Sequence, residues 1–326
     1  MESHDPHFKN NGIGYILADS FNKYLETNKE YFPFGVRPRG TLMILSDYGG
    51  QHKGSEFETF SFLVFDLEAN QKWLEGQKQF RTKYMTDGRR MSFKSMNDNL
   101  RRRSLIPFLS LADSIDGWLV TFSVSKNLEN LFEDQKYLAE SSELLKLWKR
   151  RPAEKLLLIL HFSAFLVSGL SLPYQNILWV CDQDDIAANV NQLTQLTKLF
   201  GIISSNFEGH KLGHLRCGTT QSDDGSLALE DLVSICDLSA GLFAEIISGL
   251  VGEGLFPRKG IISGMPSILS DKSHILTAWL SHDKASLRRI NCVIDNGENG
   301  FARTTMIKTH AFAKPDLYPS IIRPRR

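Results

Sequence analysis

Three aspartates stand where folding alone has little use for a charge. Asp47 follows the apolar run Leu42-Met43-Ile44-Leu45-Ser46, and Asp182 follows Ile177-Leu178-Trp179-Val180-Cys181. Both runs read as buried strands, with an aspartate at each strand end. Asp237 lies within residues 232–243, a helical stretch that is apolar nearly all round and therefore buried. A lone carboxylate there is costly or takes up a proton unless something compensates it. A divalent cation shared by strand-end and helix carboxylates would do so. Mg²⁺ or Mn²⁺ takes oxygen ligands and keeps waters for phosphate groups. Two such ions about 3.5–4 Å apart clamp the attacking and leaving oxygens of phosphodiester hydrolysis. Each aspartate also has a local reading. Asp47 precedes Tyr48-Gly49-Gly50 and suits a turn. Asp182 opens Asp182-Gln183-Asp184-Asp185, any acid of which could cap the next helix. Asp237 could pair with a buried Arg or Lys.

A second feature suits phosphate. The 326-residue chain is nearly neutral overall, net +1, yet residues 78–103 carry nine Lys and Arg against Asp87 and Asp98, with Phe80, Tyr84 and Phe93 interleaved. Such a surface fits contacts to a nucleic-acid backbone, and Lys94, Arg101, Arg102 and Arg103 are its candidate ligands. The plain alternative is a solvated helix face. A second cluster, Lys146, Lys149, Arg150, Arg151 and Lys155, straddles a helix junction and reads as solvated.

Other chemistries are absent from the pattern. There is no phosphate-loop motif, dinucleotide fingerprint, nucleophile elbow or HExxH. Cys181, Cys217, Cys236 and Cys292 form no CxxC pair and read as small buried hydrophobes, as in a reducing cytoplasm. His210 and His214, four apart, are interrupted by Gly213. His161 in an apolar helix reads as a core histidine, and His52 lies just beyond the Asp47 turn. The polar stretch 1–11 is not a secretion signal, and the apolar segment 156–172 is too short and too rich in serine to span a membrane. A cytoplasmic protein with no membrane partner is expected.

The elements that must position these groups follow from periodicity and breakers. Helices are predicted over 13–28, 69–85, 96–112, 128–147, 153–169, 186–200 (closed by Gly201), 227–250 and 270–281. Strands are predicted over 41–46, 57–65, 91–93, 117–124, 176–181 and 212–216, with a hairpin at 289–294 and 301–309. The order argues a mixed α/β fold.

These pieces resemble a ribonuclease H-like fold. The run Leu42 to Asp47, its hairpin partner at 57–65, the strand ending at Asp182 and the helix Leu229-Glu230-Asp231-Leu232-Val233-Ser234-Ile235-Cys236-Asp237-Leu238-Ser239-Ala240-Gly241 carry the likeness over residues 41–250. The last is similar to the closing helix of domain-of-unknown-function family three thousand eight hundred. That family opens with Asp-Glu-Ser-Gly, where this chain has Asp47-Tyr48-Gly49-Gly50. It carries a glutamate two residues before a strand lysine, where this chain has Ser92 before Phe93-Lys94. Asp184, Asp185 and Glu58 are the candidate replacements. The resemblance implies a mixed sheet flanked by helices with a C-terminal helix-plus-hairpin extension: an arm at 1–40, a ribonuclease H-like domain at 41–250 and the extension at 251–326. It further implies a Mg²⁺- or Mn²⁺-dependent nuclease with Asp47, Asp182 and Asp237 as catalytic ligands. The alternative is a catalytically lapsed scaffold that binds nucleic acid, or a partner protein through the extension.

Overall fold

The computed structural model describes residues 13–27, 40–128, 143–207, 209–256, 261–262, 266–267, 269–282, 285–297 and 302–309. In chain order the elements are α1 Ile13–Thr27, β1 Leu42–Gly49, β2 Phe57–Asp66, α2 Gln71–Tyr84, α3 Asn99–Ala112, β3 Gly117–Ser125, α4 Arg150–Leu170, β4 Ile177–Cys181, α5 Val190–Ser205, β5 Leu215–Thr219, α6 Ala228–Gly252, β6 Ile261–Ile262, α7 Asp271–Leu280, β7 Leu287–Asn296 and β8 Ala302–Thr309. Seven strands form one mixed sheet in the order β5-β4-β1-β2-β3-β7-β8, and the two-residue β6 pairs with the end of β8. From β5 to β7 every strand is parallel to β1 except β2. The C-terminal hairpin expected as an extension thus joins the sheet edge, β7 lying parallel to β3.

The sheet separates two apolar layers. Met43, Leu45, Leu63, Leu119 and Val180 face α2, α3, α6 and α7, while Leu42, Ile44, Phe62, Phe122 and Trp179 face α1, α4 and α5. β3 is buried along its whole length and β2 nearly so, which explains their continuous apolar runs. On the second face Phe122 stacks on Phe162 of α4 at 4.2 Å between ring centres. On the first face a chain of buried hydroxyls ties α6 to the sheet. Ser61 meets Thr121 at 3.1 Å, Thr121 meets Ser239 at 2.8 Å, and Thr59 donates to the Ala240 carbonyl at 2.8 Å. α4 and α6 are long and apolar enough to cross a membrane, but each packs on the sheet.

Several boundaries differ from the sequence expectation. The stretch 91–93, expected as a short strand, is irregular and leads into a turn at 94–97, with Met91 and Phe93 buried in the α6-side core. Asp47 lies inside β1, opposite Ser61, not at its end. α5 begins at Val190, capped by the Asn189 side chain, and runs through Gly201 to Ser205, since Leu196, Leu199, Phe200 and Ile203 continue one buried face across the glycine. β5 is shifted to Leu215–Thr219. Most of the helix expected over 128–147 falls outside the described residues.

Candidate active site

β1 and β4 run parallel, with Ser46 opposite Cys181. Strand side chains alternate, so Asp47 and Asp182, the next residue on each chain, leave on the same face. That face carries Met43, Leu45 and Val180 and is covered by α6. Asp237 is on α6, one residue past Cys236, whose thiol reaches the Leu45 carbonyl at 3.4 Å. Gly49 lets the helix come this close, because a Cβ there would sit 2.9 Å from the Ala240 oxygen. Gly50, at φ +71°, then turns the chain away. The end of β1, the residue after β4 and α6 thus bring three half-buried aspartates to the carboxyl-end side of the parallel strands, where ligands of open α/β sheets bind.

The three carboxylates act on one another. Burial, then the charge of Asp237, pushes the Asp47 carboxyl well above the usual range, and Asp182 adds to it. The Tyr48 N–H, donating to Asp47 Oδ1 at 2.7 Å, works against the shift. Burial also raises Asp237, opposed by the Phe93 N–H at 2.6 Å and by the Ser92 hydroxyl. Ser92 thus supplies a side-chain donor to Asp237.

At the centre stands Arg90, which nothing in the sequence singles out from the rest of the basic run. Arg90 Nη1 donates to Asp182 Oδ2 at 2.6 Å, lies 3.4 Å from Glu230 Oε2, and lowers the pKa of both Asp47 and Asp237. One guanidinium thus counters four carboxylates. Glu230 was missed too, although its spacing was readable: it precedes Asp237 by seven residues, two helical turns, on one face of α6. Arg90 sits in a loop, where spacing carries no such signal.

The fully buried acid of α6 is not Asp237 but Asp231. Arg81 grips it with both prongs, at 2.6 and 2.8 Å, and Gln77 adds a third bond at 2.7 Å. The replacement carboxylates proposed from the sequence lie elsewhere. Asp184 and Asp185 hold the buried Lys155 at 2.8 and 2.9 Å, and Glu58 pairs with Arg151 at 3.5 Å. Lys155 also lies 4.8 Å from the centre of the Tyr48 ring, so the second basic cluster is partly structural rather than solvated.

The basic run divides into two groups. Arg81 is committed to Asp231, Arg89 to Asp87 and Asp98, and Arg90 to the carboxylates. Arg101 donates to the Arg90 carbonyl at 2.8 Å. Lys94, Arg102 and Arg103 are exposed and make no ion pair among the described residues. Lys94 adds positive potential at Asp237.

The donor set is all oxygen, which suits a hard cation in kind. In arrangement, no three His, Cys, Asp or Glu side chains among the described residues are grouped to hold a metal, and Arg90 provides the positive charge instead. His161 is a core histidine as expected, its Nδ1 paired with the Leu157 carbonyl, and His210 meets Ser171. All four cysteines are free. No protein-family model matches the chain, and no curated protein is close enough in sequence to count as its relative.

Proposed function

We propose that this chain is a ribonuclease H-like, nuclease-like protein that binds nucleic acid and hydrolyses its phosphodiesters with Mg²⁺ or Mn²⁺, toward which Asp47, Asp182 and Asp237, not grouped as a metal site in this structure, would have to converge as ligands. The observation that carries this reading is the placement of the three aspartates on one face of the sheet, Asp47 near the end of β1, Asp182 just past β4 and Asp237 on α6, where burial and the Asp237 charge raise the Asp47 pKa. The order β3-β2-β1-β4-β5, with only β2 reversed, supports the fold assignment. Bound metal would supply an activated water and neutralise charge on the phosphate. The chain's own contribution is separate. Asp237 is oriented by the Phe93 N–H, Asp182 by Gln183 N–H and Thr220 Oγ1, and the cations Lys94, Arg102 and Arg103 attract the backbone. A cytoplasmic setting belongs to the same proposal; all four cysteines are free, three of them buried and Cys217 half-buried.

One observation favours a second reading. The Arg90–Asp182 pair gives the site a resident counter-ion, as a lapsed scaffold that binds nucleic acid or a partner protein would have. Thermal melts with and without Mn²⁺ separate the two. For a nuclease-like site, Mn²⁺ raises the melting temperature of the wild type and not of Asp47→Asn or Asp237→Asn. A wild type that ignores Mn²⁺ and leaves labelled DNA and RNA uncut sinks the catalytic reading in favour of the scaffold.

A further inference from the structure

A pocket opens between the N-terminal halves of α3 and α7, outside the carboxylate crevice. Asn97, Asn99, Arg102 and Arg103 line one wall; Asp271 and Lys272 line the other. Three cations thus face one acid, and Asn97 and Asn99 supply neutral donors. Arg102 and Arg103 have no carboxylate partner among the described residues, whereas Arg81, Arg89 and Arg90 each have at least one. Unpaired arginine forks beside amide donors in a concave site fit a phosphate group.

The pocket is wired to the crevice. Lys272 Nζ donates to the Phe93 carbonyl at 2.9 Å and stands 3.9 Å above the Phe93 ring. The N–H of the same residue donates to Asp237. The Phe93 ring in turn packs on Gly241 of α6, where a Cβ would come within 2.4 Å of it. Phe93 is therefore a fixed spacer with a phosphate-suited pocket on one side and an aspartate on the other.

We infer that this pocket binds a backbone phosphate of a nucleic-acid strand whose neighbouring phosphodiester lies over the Asp47–Asp182–Asp237 crevice. The inference deepens the nuclease-like reading and rests on it for the identity of the ligand, but not for the presence of metal.

The test is fluorescence anisotropy of a labelled single strand of about 16 nucleotides, as DNA and as RNA, over a salt series without metal. Inorganic pyrophosphate serves as competitor. The double variant R102Q/R103Q should bind roughly tenfold or more weakly, and the slope of log affinity against log salt should flatten by about 1.4 for two lost single-strand contacts. D271N should bind more tightly than the wild type, a gain that misfolding does not produce. Pyrophosphate should displace the strand from the wild type at lower concentration than from R102Q/R103Q. Unchanged affinity and slope in R102Q/R103Q overturn the pocket, as does a wild type that binds neither strand. Tight binding by pyrophosphate with none by either strand also overturns it, since the pocket would then serve a free phosphate. If the pocket variants behave as expected while Mn²⁺ has no effect on stability or cleavage, the pocket stands and only the catalytic reading falls.

Discussion

Arg101 donates its Nε–H to the backbone carbonyl of Arg90 at 2.8 Å. Arg101 is thus part of the scaffold around Arg90, whereas its neighbours Arg102 and Arg103 are exposed and line the pocket beside Asp271 and Lys272. Three consecutive arginines, read from sequence as one patch, sit in two different settings. Arg101→Gln should therefore lower the melting temperature slightly and alter the Mn²⁺ response, because the loop that carries Arg90 loses a tie. It should leave the salt dependence of nucleic-acid binding nearly unchanged. Arg102→Gln should do the reverse. Melting curves and salt titrations of the two single variants check this. Identical behaviour of the two would show that position within the run has no consequence.

Arg90 is the positive charge of the crevice in this structure, so its removal has opposite effects with and without metal. Arg90→Gln leaves Asp182, Glu230, Asp47 and Asp237 without their counter-ion. The metal-free protein should melt earlier. A divalent cation would then meet no competing guanidinium, so Mn²⁺ should stabilise the variant more than the wild type. Calorimetric titration with Mn²⁺ gives the readout. Weaker Mn²⁺ binding in the variant would show that Arg90 helps to build the metal site rather than competing with it.

Asp47 has a pH signature of defined sign. Its folded pKa lies above the unfolded value, through burial first and the Asp237 charge second. The protonated form is thus favoured by folding: the contribution is full below the unfolded pKa and is lost as pH rises through the folded one. At neutral pH the ionised group is a net cost to the metal-free protein. Asp47→Asn, nearly the same size and uncharged, should raise its melting temperature at pH 7 and reduce the difference at pH 4. A lower melting temperature at pH 7 would mean that the Tyr48 N–H bond outweighs burial and repulsion.

Much of this fold was legible because its signals are periodic. The buried runs at 42–46, 57–65, 117–124 and 177–181 all became strands of the sheet, and the apolar character of 232–243 placed α6 in the core. The site was legible where an acid interrupts such a run, as at Asp47, Asp182 and Asp237. It was not legible where the partner comes from a loop. Nothing in Gly88-Arg89-Arg90-Met91 distinguishes the arginine that enters the crevice from the one that pairs with Asp87 and Asp98. The same limit hid the partner of Asp231, because Arg81 is 150 residues away in sequence. Local reasoning supplied Asp184, Asp185 and Glu58 as spare acids, since only tertiary packing brings Lys155 and Arg151 to them.

The Arg81–Asp231 pair should behave as a buried ion pair. Asp231 is wholly buried and Arg81 nearly so, and the fork geometry satisfies both carboxylate oxygens. Arg81→Met leaves the carboxylate uncompensated and should cost about 3–5 kcal/mol in urea unfolding. Adding Asp231→Asn should recover part of that loss, because the stranded charge is then gone. A double variant no more stable than Arg81→Met alone would place the cost in lost packing instead.

His161 should make the protein acid-labile through α4. Burial pushes its pKa down to about 4, against the ordinary 6.5, although the Leu157 carbonyl that accepts from Nδ1 favours the charged ring. The ring lies edge-on to Phe207, 5.9 Å between centres. The folded state therefore holds the neutral imidazole. Its contribution to stability is full above pH 6.5, declines as pH falls below that value, and stops changing near pH 4, where the folded form also takes up a proton. The span of about 2.5 pH units corresponds to an upper bound of about 3–4 kcal/mol. His161→Phe keeps an aromatic ring and removes the titration. Its stability relative to the wild type should then rise steadily from pH 6.5 to pH 4, whatever the offset at neutral pH. Asp47 acts with the opposite sign in acid, so the comparison is best made in the Asp47→Asn background as well. Melting temperatures of wild type and variant that fall in parallel between pH 6.5 and 4 would show that His161 is not the acid-sensitive group of this helix.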